Sequence, residues 1–204
     1  MARPRTVTDE TVLAGAAVAV SAAGPGEVTL GQIGSRVGLS PATLLQRFGS
    51  KRGLLLALAR HGADTLPCEL ADAQHADAPV AALVEVFASL ADGVRSRKEF
   101  ANHLAFLLLD LSDPDFQQIS RDYANAVERA IADVLAASRA AGELTSSGEG
   151  LARAVHAAYN GALVTWGMTG DGHPAEHVRS QLGHLLGPHL ADAAPSLRRD
   201  TAFP

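Results

Sequence analysis

The 204-residue sequence has one cysteine, Cys68, so no disulfide can close within the chain, and a reducing compartment is expected. Aromatic residues make up only 4% of it, and β-branched alternation is hard to find, which leaves little from which to build a sheet. No stretch approaches the run of about 18 apolar residues that a membrane span needs. Catalytic motifs are missing as well. There is no Gly-x-Ser-x-Gly elbow, no Gly-x-x-x-x-Gly-Lys phosphate cradle, and no obvious base for Cys68. Neither an enzyme nor a cofactor is expected. Eight histidines raise the question of a metal, with His173 and His177 four apart and His184 and His189 further along. No cysteine and few carboxylates accompany them, so no metal site is expected.

What is present is helical material. Hydrophobic residues account for 47% of the chain and helix formers dominate, so the fold class expected is all-α, with about nine helices. The net charge of −5 is unevenly spread. Residues 1–52 hold Arg3, Arg5, Arg36, Arg47, Lys51 and Arg52 against Asp9, Glu10 and Glu27, a balance of +3 that leaves −8 for the remaining 152 residues. A basic end on an acidic body is the asymmetry of a small DNA-reading module on a larger non-DNA domain. Arg3 and Arg5 followed by the Ala/Val-rich residues 11–26 imitate an export signal. Asp9 and Glu10 interrupt it, and the stretch is wanted as a first helix, so residues 1–7 are expected to be a disordered basic arm in a cytoplasmic protein.

Residues 28–51 carry the densest local information. Thr29 can cap a helix with Gln32 closing a capping box, and Val28 can staple onto Ile33. Gly38 ends that helix in left-handed backbone. Ser40 caps a second helix with Pro41 in its first turn, Leu44 and Phe48 share its inner face, and Ser50 caps a third. Two short helices joined by a glycine turn are a helix-turn-helix, whose second helix enters the DNA major groove.

This stretch resembles the tetracycline-repressor (TetR) family of bacterial transcription regulators, in the residues Thr29, Ile33, Gly38-Leu39-Ser40, Thr43-Leu44, Phe48 and Ser50-Lys51. The resemblance implies an N-terminal DNA-binding domain at 1–52 and a C-terminal ligand-binding and dimerisation domain at 53–204, bridged by a helix from Lys51 to about Leu66. It implies a homodimer joined by the last two long helices. The groove would be read by Pro41, Ala42, Thr43, Leu45, Gln46 and Arg47, and phosphates held by Thr29, Ser40, Thr43 and Lys51. The tyrosine that usually follows the Thr-Leu pair is here Leu45. A leucine cannot donate to a phosphate, so that contact is missing or moved to Gln46 or Arg47, while a thymine methyl remains within its chemistry.

Beyond residue 52 the likeness is architectural. Residues 66–79 read as an irregular connection. Helical stripes follow at Val80–Val94, at Phe100, Leu104, Leu107, Leu108 and Leu111, and at Phe116–Leu135. A polar loop at 143–150 leads to stripes from Leu151 and from about Pro174, with a frayed tail after Ala191. His103, Phe106, Tyr123, Asn160 and Trp166 are the expected contacts of a small, mainly hydrophobic effector, Asn160 and His103 because a polar group on an apolar face needs a partner. The small residues from Ala157 to Gly161 suit self-association. The function expected is a ligand-responsive repressor that leaves a palindromic double-stranded operator when the effector binds. The alternative is a helical small-molecule or metal carrier keeping a helix-turn-helix end as scaffold.

Overall fold

The computed structural model describes residues 7–145 and 150–191. The expected arm, apart from Val7, the tail after Ala191 and the centre of the 143–150 loop lie outside them. Among the described residues the chain is all-α: ten α-helices, a 3-10 turn at Gly187–His189, and one isolated antiparallel bridge between Leu144 and Leu190. The helices are α1 Asp9–Ala23, α2 Leu30–Val37, α3 Pro41–Phe48, α4 Lys51–Ala63, α5 Thr65–Ala73, α6 Pro79–Asp92, α7 Arg97–Ser112, α8 Pro114–Ala140, α9 Leu151–Thr169 and α10 Pro174–Leu186. They fall into two compact units. One holds Met1–Asp64 with Lys98–Arg121, the other Thr65–Arg97 with Asp122–Pro204.

In the first unit each short helix begins on a side-chain cap. Thr8 accepts from the Thr11 N–H at 3.2 Å, and Asp9 and Glu10 follow in the first turn, where the helix dipole favours negative charge. Ser50 accepts from the Gly53 N–H at 2.9 Å to start α4. The apolar faces these caps orient meet in one core of Val12, Ala16, Val20, Val28, Ile33, Leu44, Leu54 and Leu55. Phe116, from the start of α8, is part of the same core and is 2% exposed. Asn102 on α7 donates to the Ser21 carbonyl at 2.8 Å, which ties α7 to α1.

In the second unit α10 packs on both α6 and α9, through buried Val178, Leu182 and Leu186. Arg179 makes two 2.8 Å bonds to Glu85, which hold that carboxylate below its ordinary range. The Glu143 side chain accepts from the Val80 N–H, and Ala191 N–H donates to the Glu143 carbonyl.

One stretch differs from the sequence reading. Residues 66–79 are not irregular throughout, because α5 occupies Thr65–Ala73 with Leu66, Leu70 and Ala73 buried at helical spacing. Pro67 breaks nothing there: it sits in the first turn, whose N–H groups have no intrahelical acceptor. The helix before it accordingly stops at Ala63.

Candidate nucleic-acid interface and effector cluster

The α2–α3 pair is set by three local devices. Thr29 Oγ1 accepts from the Gln32 N–H at 3.2 Å while Gln32 Oε1 accepts from the Thr29 N–H at 2.8 Å, a closed capping box. Gly38 lies at φ 70°, ψ 31°, and the Leu39 N–H returns to the Gly34 carbonyl, which turns the chain. Ser40 Oγ accepts from the Thr43 N–H at 3.1 Å and lies 2.9 Å from Thr43 Oγ1. With Leu44 fully buried, α3 has a fixed rotation, and Pro41, Ala42, Leu45 and Gln46 are left on its exposed side. Thr29, Ser40 and Lys51 stand at the starts of α2, α3 and α4, where free N–H groups and the dipole attract phosphate.

The cations are more constrained than their sequence positions imply. Arg47 turns back from the outer face of α3: its Nη1 donates to the Val7 carbonyl at 2.7 Å and lies 3.4 Å from Asp9 Oδ1. Lys51 Nζ donates to the Gly26 carbonyl at 2.6 Å. Arg52 donates through Nε and Nη2 to Asp113 at 2.8 and 2.6 Å, and through Nη2 to Asp115 at 2.7 Å. Its charge also lies over the Phe116 ring, 5.9 Å from the centroid. These bonds raise the Arg52 guanidinium further above its ordinary range and lower the Asp113 carboxyl below its own. Sequence reasoning had no sign of this pairing, because 61 residues separate Arg52 from Asp113.

The residues expected to touch an effector fall in both units. In the first, His103 is exposed and stacks on Phe100 at 6.5 Å, and Phe106 lies edge-on to Phe116 at 5.9 Å. In the second, Trp166 is buried and its Nε1 donates to the Gly172 carbonyl at 3.2 Å. Asn160 does not sit inside an apolar face. It is exposed, and its Nδ2 donates to the His156 carbonyl of its own helix.

Tyr123 has partners the sequence did not single out. Its ring lies edge-on to His156 at 6.4 Å, and Tyr159, whose ring packs on Phe87 at 4.6 Å, is near enough to feel the Tyr123 phenol. Burial pushes both phenols up, and burial pushes the His156 imidazolium down against a smaller opposing pull from Glu128. At neutral pH the group is therefore two protonated phenols and a neutral imidazole. Among the described residues neither phenol oxygen nor an imidazole nitrogen has a hydrogen-bond partner. His156 and Tyr159 are three apart, so one helical face carries both. That spacing was the available signal.

His173 Nδ1 lies 3.4 Å from Asp92, while His177 and His184 bond to the Asp171 and Ser180 carbonyls. No group of three metal-ligating side chains converges among the described residues. Cys68 is exposed. Along α9, Ala157, Asn160, Gly161, Val164 and Met168 form an exposed stripe at helical spacing, Met168 at 76% exposure.

Residues 12–58 match the family described as bacterial regulatory proteins, tetR family. Residues 79–191 match the family described as BetI-type transcriptional repressor, C-terminal. The HTH-type transcriptional repressor BdcR of Escherichia coli is 29% identical over 135 residues, 66% of this chain and 68% of that one. Three solved structures have a similar fold. SmeT, the repressor of the Stenotrophomonas maltophilia efflux pump SmeDEF, has a TM-score of 0.69 at 19% identity over 93% of each chain. A second SmeT structure, a complex with triclosan, has a TM-score of 0.71 at 18% identity over 91% of this chain and 93% of that one. A TetR transcription regulator from Haloarcula marismortui has 0.77 at 17% identity over 90% of this chain and 98% of that one.

Proposed function

The chain belongs to the tetR family of bacterial regulatory proteins, DNA-binding transcriptional regulators, and we propose that it acts as a homodimeric repressor of a palindromic operator. Residues 1–52 are the reading head and residues 53–204 the ligand-binding and dimerisation part, with α4 carrying the signal between them. The observation that supports this reading most is the capped α2–Gly38–α3 pair with an unpaired outer face on α3. The groove is met by Pro41, Ala42, Thr43, Leu45 and Gln46 and approached by Arg47. Phosphates are held by Thr29, Ser40, Thr43 and Lys51, the last after leaving the Gly26 carbonyl. Two heads are joined through the exposed stripe of α9 and the neighbouring α10. Action on DNA places the protein in the cytoplasm, and no described helix is long and apolar enough to cross a membrane.

The effector is a mainly hydrophobic small molecule, neutral or cationic. Tyr123 is its central contact, with His156, Tyr159 and Phe87 joining it in place of Asn160. Trp166, in the same unit, is a secondary contact. Protonated phenols and a neutral imidazole offer dipoles but no cation, which suits a phosphate poorly. SmeT, a relative in fold, has been observed in complex with triclosan. To release DNA the effector must favour the non-binding conformation. A tenfold loss of operator affinity needs about 1.4 kcal/mol of preference. The test is a thermal-shift and operator-release screen of apolar compounds beside sugar phosphates and nucleotides. Apolar compounds should stabilise the protein and release DNA, and Tyr159→Phe should blunt both effects. Response to the phosphorylated compounds alone refutes the reading.

A further inference from the structure

The outer face of α3 is unusual in what it lacks: charge. At about 100° per residue, Pro41, Ala42, Leu45 and Gln46 fall within an arc of about 140°. Three of the four are apolar, and all four are exposed. Leu45, at 45% exposure, is a large apolar side chain in water on a helix whose inner face already has buried Leu44. Arg47 lies about 100° beyond Gln46, on the flank. Its side chain is only 26% exposed, with the guanidinium held by the Val7 carbonyl and Asp9. The Thr43 hydroxyl is engaged by Ser40 at 2.9 Å. The Gln46 amide is the one polar group of the arc, and among the described residues it has no partner.

We propose that α3 reads A·T base pairs, with Leu45 against thymine methyls and the Gln46 amide on adenine, while Arg47 clasps α3 to the start of α1 and reads no base. This rests on the DNA-binding reading above. An adenine presents N7 and N6–H2 in the major groove, the acceptor and donor that a glutamine amide matches, and its thymine presents a methyl group. A G·C pair offers Leu45 no methyl, and the arginine that would bind guanine O6 and N7 is turned away. Ala42 is small enough to let the backbone approach beside Leu45. Arg47 is a positioning residue. Its loss loosens the start of α1 and weakens every sequence alike.

Selection of bound duplexes from a random pool with the full chain tests this. The expected result is half-sites with A·T pairs opposite α3. Deoxyuridine in place of each such thymine should weaken binding about fourfold, the worth of one buried methyl, and about 15-fold over two half-sites. That loss should vanish in Leu45→Ala, whose surface position leaves folding intact. Gln46→Ala should relax the adenine preference, and Arg47→Ala should lower affinity with the base preference unchanged. Guanines opposite α3 whose preference disappears only in Arg47→Ala, or indifference to deoxyuridine, overturn the proposal and leave DNA binding standing. A pool with no enriched sequence overturns sequence-specific DNA binding itself.

Discussion

Replacing Phe116 with alanine tests whether the start of α8 stabilises the reading head, 64 residues past the division expected at 52. The side chain is 2% exposed, packs in the same core as Val12, Ile33, Leu44 and Leu54, meets the Phe106 ring edge-on at 5.9 Å, and supports the Arg52 guanidinium. A buried phenylalanine cut to alanine costs about 3–5 kcal/mol, of which roughly 1 belongs to the aromatic pair. At about 4 kcal/mol the amides of α1, α2 and α4 that exchange by opening of this core should exchange ~700-fold faster. Phe116→Leu, which keeps most of the volume, should cost less than about 1.5 kcal/mol. Hydrogen exchange read peptide by peptide is the assay, with the buried α10 segment Val178–Leu186 as internal reference. Unchanged protection in α1 and α4, or equal acceleration in α10, refutes the assignment of Phe116 to the head's core.

Lys51→Ala should weaken binding to all duplexes and lower the slope of log affinity against log salt by about one unit; an unchanged slope removes Lys51 from the phosphate contacts. The Arg52–Asp113 pair predicts an acid dependence. The folded Asp113 pKa lies below its unfolded value, so the unfolded state binds more protons on acidification, and the pair's stabilisation is present at neutral pH and lost as pH falls through the lowered pKa. The gap in denaturant midpoint between wild type and Asp113→Asn should therefore be widest near pH 7 and shrink as pH falls below about 4, and a gap of equal size throughout would contradict this. Gly161 has open space where a Cβ would stand, so Gly161→Glu should leave the single chain folded yet yield monomers with weak operator binding. Light scattering that shows an intact dimer would move the interface elsewhere.

The parts of this protein that were legible in its sequence are those fixed by neighbours. Thr29 with Gln32, Gly38, and Ser40 with Pro41 settle two helices and the turn between them within a dozen residues, and the structure closes each of those bonds. Helical spacing in the body was legible too, but spacing alone does not say which side of a helix is covered. Leu107, Leu108 and Leu111 have the period of a core stripe, yet they are 48%, 62% and 70% exposed. Asn160 has the spacing of an inward polar group, yet it is exposed. Contacts across long separations left no trace in the sequence: Arg52 on Asp113, Phe116 in the head's core, Tyr123 beside His156. Arg47 is the most instructive case. A basic residue in the last turn of a recognition helix invites a base contact, and only the fold, across 40 residues, brings it to the Val7 carbonyl.

The proposed role depends on sequence-specific DNA binding through α2 and α3. Its most direct test is a fluorescence-anisotropy titration of a selected operator duplex against a scrambled duplex of equal length at matched salt. The selected duplex should bind at least about a thousandfold more tightly than the scrambled one. It should do so with a steep salt dependence, and Leu45→Ala and Lys51→Ala should each weaken it. Equal affinity for the two duplexes, or binding untouched by either substitution, would contradict the account.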